Sequence, residues 1–166
     1  MANMDQSIAT SKHIRTRIRQ AREDEANLLT ALTLRSKAHW GYDGAFMADA
    51  VEDLTFRVAK FQPDFHVYVI EEQQKIIGFC SLVPIDVKTV ELFDLFVEPE
   101  FIGKGYGKQL WDHAVTIARR HHFKLLVLTA DPFAEVFYLR QGAARTGEKA
   151  SNIRPDRMLP LMTYAL

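Results

Sequence analysis

Three glycines alternate in the stretch Phe96-Val97-Glu98-Pro99-Glu100-Phe101-Ile102-Gly103-Lys104-Gly105-Tyr106-Gly107-Lys108. An apolar run from Thr89 to Val97 leads into them, and Leu110, Ala114, Ile117 and Ala118 follow at helical spacing. Glycine tolerates positive φ and lets backbone come close to a bulky group. The first turn of a helix carries N–H groups with no partner inside the helix, and the helix dipole favours negative charge there. Strand, glycines and helix together make an anion cradle, to which Lys104 and Lys108 can add charge. Spacing excludes two common phosphate loops. A Walker-type loop needs Gly-Lys-Ser/Thr with a glycine four intervening residues upstream, yet Gln109 follows Gly107-Lys108 and Ile102 stands upstream. The dinucleotide fingerprint needs a glycine three residues after Gly105, and that residue is Lys108.

One phenol and two carboxylates are the candidates for moving protons. Tyr138 lies in Phe137-Tyr138-Leu139-Arg140-Gln141-Gly142, where it also suits a core position beside Phe137. Glu91 and Asp94 lie on the long strand Thr89 to Val97. An odd number of positions separates them, so on a regular strand they face opposite sides unless a bulge shifts the phase. Glu91 shares parity with Val97 and is the first choice; Asp94 is the second, and each also suits a solvated strand end. Trp40 and Tyr42, with His39, occupy a break between two helical segments, where the aromatics can plug the core. Cys80 sits in an apolar strand and reads as a small hydrophobe. The six histidines show no metal-ligand spacing.

The glycine stretch resembles the acetyl-CoA-binding motif of the GCN5-related N-acetyltransferases: Arg or Gln, two residues, Gly, one residue, then Gly or Ala. Laid on this chain the pattern falls on Ile102, Gly103, Lys104, Gly105, Tyr106 and Gly107, with Ile102 in place of Arg or Gln. Leu95-Phe96-Val97 matches the strand whose backbone pairs with the pantetheine arm in that family. A second segment, Asp131-Pro132-Phe133 through Phe137-Tyr138 to Gly142-Ala143, is similar to the family's later motif, with Asp131 where Asn is common. The resemblance runs over residues 14–166, and Ile153-Arg154-Pro155-Asp156-Arg157-Met158-Leu159-Pro160 looks like a tail found in a bacterial branch of small acetyltransferases. It implies acetyl-CoA as co-substrate and a small-molecule amine as acceptor, joined in a direct ternary complex. Leu95 to Val97, Ile102 to Lys108, Asp131 and Phe137 would hold the cofactor, and Trp40 and Tyr42 would border the acceptor. The reaction needs an amine that loses its proton, a stabilised carbonyl oxygen and a protonated leaving thiolate. Tyr138 would supply the last, Glu91 or Asp94 the first, and no metal is required. The alternatives are a non-catalytic acyl-CoA sensor and a protein-interaction module on the same fold.

The elements that must position these residues follow from periodicity. Ile14 to Ile18 alternates as a half-buried strand. Glu23 to Lys37 reads as a helix with Leu28, Ala31, Leu32 and Arg35 at helical spacing. Asp43 can cap a second helix, with Phe46, Met47, Val51, Leu54 and Val58 on one face. Strands are expected over residues 65–70 and 75–83, with Gly78 marking a bulge or a close backbone approach. A helix over Tyr106 to His122, a buried strand over Lys124 to Thr129, a short helix over Phe133 to Gln141 and a last strand before Leu166 complete the order. This is an α/β (α+β) fold: one domain over residues 13–166, a mixed central sheet flanked by helices, preceded by a polar tail over residues 1–12. The chain has 166 residues, 48% of them hydrophobic, which suffices for one full core. With 21 basic and 21 acidic residues it lacks the basic excess of a nucleic-acid binder. One cysteine excludes an internal disulfide. No apolar run reaches the roughly 18 residues that span a bilayer. A cytoplasmic protein without a membrane or nucleic-acid partner is expected, with a homodimer possible.

Overall fold

The computed structural model describes residues 16–166. The tail expected over residues 1–12 and the start of the strand expected at Ile14 lie outside the described residues. Strand β1 runs Thr16–Gln20, helix α1 Ala26–Ala38, α2 Gly44–Leu54, β2 His66–Glu72, β3 Lys75–Pro84, β4 Thr89–Val97, α3 Tyr106–Arg120, β5 Leu125–Thr129, α4 Glu135–Arg140, β6 Ala144–Ala150 and β7 Met158–Ala165. The strands form one sheet in the order β1-β2-β3-β4-β5-β7-β6. Every neighbouring pair is antiparallel except β4 with β5.

Each face of the sheet carries its own core. On one face α3 buries Leu110, Trp111, Ala114 and Ala118 against Cys80, Leu82, Val90, Leu126 and Met162. On the other, α1 lays Leu29 and Leu32 on Val67, Val69 and Phe79. Gly78 lies between the two: a Cβ there would stand 2.8 Å from the Phe96 carbonyl oxygen. Glycine lets β3 and β4 come that close, and the β2–β3 register shifts beside it.

Three sequence expectations are corrected. The buried face of α1 is Ala26, Leu29, Leu32, Thr33 and Ser36, whereas Leu28 is exposed. Two overlapping faces compete in Leu28-Leu29-Thr30-Ala31-Leu32-Thr33; the observed one buries Thr33 at no hydrogen-bonding cost, because its hydroxyl donates to the Leu29 carbonyl at 2.9 Å. Helix α2 starts as expected, with the Asp43 carboxylate accepting from the Phe46 N–H at 2.7 Å. It ends at Leu54, buries Phe46 and Ala50, and leaves Val51 exposed and Val58 in a separate 3-10 turn. Strand β6 has no counterpart in the expected order. Its sequence, Ala-Arg-Thr-Gly-Glu-Lys-Ala, has no apolar alternation, and it is a strand through its pairing with β7.

Candidate active site

The sheet comes apart at its centre. β4 and β5 pair through three residue pairs only, Thr89 with Leu125 to Glu91 with Val127. Beyond Glu91 the β4 edge that faced β5 has no strand partner among the described residues, so the backbone of Leu92–Val97 offers unpaired polar groups on that side. The parting coincides with a bulge in β4: Ser81 pairs with Asp94 and Leu82 with Leu92, which leaves Phe93 extra. A bulge bends a strand and sharpens its twist. A cleft of about 870 Å³ fills the opening, with Leu95, Phe96 and Val97 on one wall and Thr129, Ala130 and Asp131 on the other.

The glycine loop closes one end of this cleft. Gly103 and Gly105 have φ of 79° and 90°, and nothing lies within 4 Å of a Cβ built on either. The conformation is one that glycine adopts freely, and the space beside it stays open. Gly105 is the N-cap of α3 and has no side chain to cap it, so the N–H groups of the first turn have no partner among the described residues. Ile102 is half-buried against the core beneath α3. Phe137 approaches the loop from α4, 3.5 Å from a Cβ placed at Gly107. Tyr106 donates its hydroxyl to Glu72 on β2. Lys108 pairs with Asp112 at 2.6 Å on the surface, and Lys104 stands over the Phe101 ring at 5.3 Å.

The two strand carboxylates share a face, contrary to the parity expectation. The extra residue Phe93 shifts the phase, so Glu91, opposite Val83, lies on the same side as Asp94, opposite Ser81. Glu91 therefore does not share a face with Val97, which pairs with Gly78 on the other phase. Glu91 lines the cleft and is half-buried. Burial pushes its carboxyl above the ordinary 4.5; Lys149 on β6 opposes the rise and Asp94 adds to it. Asp94 is 9% exposed and already engaged, accepting from the Ser81 hydroxyl at 2.6 Å beside Lys60 at 3.4 Å.

Tyr138, on α4, is buried and its ring lies 5.7 Å from Trp111 and 5.0 Å from Phe137. It lines the cleft. Burial, then the Cys80 thiol and the Asp131 and Asp94 carboxylates, raise its phenol above the ordinary 10. At the far end Trp40 stacks on Phe133 at 5.7 Å, nearly parallel, and both line the cleft. Tyr42 stacks on Phe46 and gives its hydroxyl to Asp131. Both Asp131 oxygens are occupied: Lys37, Tyr42, the Arg157 Nη2 at 3.1 Å and the Phe133 N–H at 3.0 Å all donate to them. Burial would raise the Asp131 carboxyl, but the Lys37 ammonium and these donors more than offset it, and it lies below the ordinary 3.8.

The sequence carries the signature of a family that this geometry matches: the family model described as acetyltransferase (GNAT) covers residues 29–143. The chain belongs to the acetyltransferase (GNAT) family. Peptidyl-lysine N-acetyltransferase YjaB of Salmonella typhimurium is 34% identical over 105 residues, 61% of this chain and 66% of that protein. PaiA N-acetyltransferase from Thermoplasma acidophilum, solved in complex with coenzyme A, superposes with a TM-score of 0.75 at 18% identity, over 92% of this chain and 100% of that one. A GNAT family acetyltransferase from Elizabethkingia anophelis with acetyl-CoA bound gives 0.65 at 17% identity, over 91% and 98%. At these identities the structures share the fold.

Two residues of this GNAT domain escaped sequence reading. Lys37 closes α1 without any motif around it, and Arg157 figures only in the family-like segment Ile153–Pro160; nothing local signals that they meet Asp131. Cys80 is fully buried with its thiol pushed up to about 12, mainly by burial, which removes it as a nucleophile. Among the described residues no three His, Cys, Asp or Glu side chains converge as metal ligands, and no helix is long and apolar enough to cross a membrane. What the cleft offers is an anion cradle, an unpaired strand edge, a half-buried carboxylate, Glu91, with no bonded partner among the described residues, and one protonated phenol.

Proposed function

We propose that this acetyltransferase transfers the acetyl group of acetyl-CoA to the amine of a small molecule by direct attack in a ternary complex. The observation that carries the reading is the continuity of the unpaired β4 edge with the uncapped glycine loop. A pyrophosphate suits the free N–H groups of the first turn of α3, Tyr106 to Lys108, and an amide-bearing arm suits the open backbone of Leu95–Val97. When bound, acetyl-CoA supplies the activated carbonyl and a thiolate leaving group. The chain's own groups do the rest. Backbone N–H on the β4 edge near Val97 polarises the carbonyl oxygen. Glu91 takes the amine proton as the C–N bond forms; its raised carboxyl is a stronger base than an exposed glutamate. Tyr138 gives its phenolic proton to sulfur as the C–S bond breaks, and its raised phenol keeps that proton at neutral pH. Asp131 acts as part of the far wall, because its oxygens are already taken. Trp40 and Phe133 bound the acceptor end.

Coenzyme A should raise the melting temperature, since a ligand bound only by the native state adds RT ln(1 + [L]/Kd). Gly105→Val should lose this shift, because a β-branched residue resists φ of 90° and its side chain fills the cradle. The amine is then identified by thiol release from acetyl-CoA. An undiminished shift in Gly105→Val would remove the loop assignment. The relative named for peptidyl-lysine favours a second reading, a lysine side chain of a peptide as acceptor; a lysine peptide with blocked termini in the same assay tests it.

A further inference from the structure

The acceptor end of the cleft is not neutral. Lys37, Asp131 and Arg157 all line it, and their side chains are 11%, 14% and 18% exposed. Two cations thus share one carboxylate, and no second carboxylate bonds to either among the described residues. Both cations also lean on Tyr42, each 4.9 Å from its ring centre. Burying two cations against a single anion costs more than pairing them one to one, unless a further anion arrives.

The geometry of Arg157 shows where that anion would sit. Among the described residues, only its Nη2 has protein partners, Tyr42 and Asp131. Its Nε and Nη1 have none, yet neither is sealed: the only fully buried side-chain nitrogen or oxygen without a partner, among the described residues, is the Nε2 of His113. Arg157 lines the cleft, and its two unpartnered N–H groups keep some exposure. The residue is held in place by its backbone, with its N–H donating to the Arg154 carbonyl at 2.9 Å and its carbonyl accepting from Ser151 at 2.8 Å. Nε and Nη1 lie on different edges of the guanidinium, so each can give one charge-assisted hydrogen bond, and a carboxylate that accepts one of them gains the Lys37 charge beside it. The stacked Trp40–Phe133 pair lies on the same wall and offers apolar contact to the body of such a molecule.

We propose that the amine acceptor carries a carboxylate, received by Arg157 and Lys37 while its amine is directed toward Glu91. The proposal rests on the acetyltransferase reading and narrows it to amino-carboxylates with an apolar body. It distinguishes that class from a lysine side chain within a peptide, which has no carboxylate near its amine.

The test uses the full chain, acetyl-CoA and thiol release, with two matched pairs: L-phenylalanine against L-phenylalaninamide, and 4-(aminomethyl)benzoate against its carboxamide. The carboxylates should be preferred by at least about 10-fold in kcat/KM, as expected when a charged hydrogen bond is lost. Arg157→Gln should lower kcat/KM for the carboxylate by about 10- to 100-fold, mostly through KM, with Arg157→Lys recovering part of the loss. A coenzyme A melting shift in each variant shows that it is folded; if Arg157→Gln does not fold, the wild-type preference decides alone. Equal or better use of the carboxamides overturns the proposal, as does an equal loss for both members of a pair in Arg157→Gln. Turnover of only the blocked lysine peptide overturns it while leaving acetyl transfer intact. Thiol release with none of these amines, and no coenzyme A shift, takes down the enzymatic reading together with it.

Discussion

Burial raises both the Glu91 carboxyl and the Tyr138 phenol, and the same physics fits one as an acceptor of protons and the other as a donor. For Glu91 the working form is the carboxylate. Activity should fall as pH drops through a value above the ordinary 4.5, and in Glu91→Gln this acidic limb of the kcat/KM profile should vanish, with the rate down about 10²–10⁴-fold. A limb that survives in Glu91→Gln assigns the titration elsewhere. Asp94 is a poor substitute, because Ser81 and Lys60 hold its carboxylate away from the opening. Tyr138→Phe keeps the ring between Trp111 and Phe137, so melting temperature should change little. Turnover should drop by about 10²–10⁴-fold if the hydroxyl protonates sulfur, whereas the coenzyme A shift should persist, since that proton matters only as charge develops. A full rate with normal stability would leave water as the donor. Residue type announced both candidates in the sequence. The face of Glu91 did not follow from sequence, because one extra residue, Phe93, reverses the parity on which that inference depended.

At the scale of elements, what could be read was whatever local periodicity determines. The glycine loop was legible because alternate glycines before an amphipathic helix have few other uses, and Gly103 and Gly105 do take positive φ. The Asp43 cap and the buried strand β5 were legible for similar reasons. Where two patterns overlapped, reading failed: adjacent leucines gave α1 a face one residue off. Where no pattern existed it also failed, as in β6, whose strand character comes wholly from β7. The acceptor wall lay beyond any local signal. Lys37 and Asp131 are 94 positions apart, and Asp131 and Arg157 26, so their meeting is a product of topology. The same topology explains the cleft. A parallel β4–β5 pair flanked by antiparallel neighbours parts after three residue pairs, which no single strand's sequence encodes.

Over the whole molecule, buried ion pairs tie the peripheral elements to the sheet, and they make stability depend on pH. Arg19 on β1 donates to Glu25 at 2.6 Å and also reaches Glu71 on β2, so one guanidinium joins the sheet edge to the turn that starts α1. The Glu25 side chain is 7% exposed. Arg19, outweighing the opposing effect of burial, holds its carboxyl below the ordinary 4.5, and the Arg22 N–H at 2.8 Å contributes. Because the folded value is the lower one, the unfolded chain takes up the proton first as pH falls. The stability that Glu25 contributes is therefore complete above about pH 4.5 and is lost as pH falls through the folded value. Asp131 acts in the same direction below 3.8. Asp94 and Glu91 act oppositely, since their raised values favour the folded state as pH drops. A wild-type melting curve mixes these contributions, but a difference between two proteins isolates one. Glu25→Gln should cost about 2 kcal/mol at pH 7, the worth of hydrogen bonds to a charged partner, which for a chain of this size is roughly 4–8 °C in Tm. The gap between wild type and Glu25→Gln should then narrow as the pH is lowered below 4.5, where the unfolded chain takes up the proton, and close once the pH passes the lower folded value, where the wild-type carboxyl is itself neutralised. A gap that stays constant from pH 7 to pH 3 would mean that packing around Glu25, and not its charge, holds the first turn of α1 to the sheet.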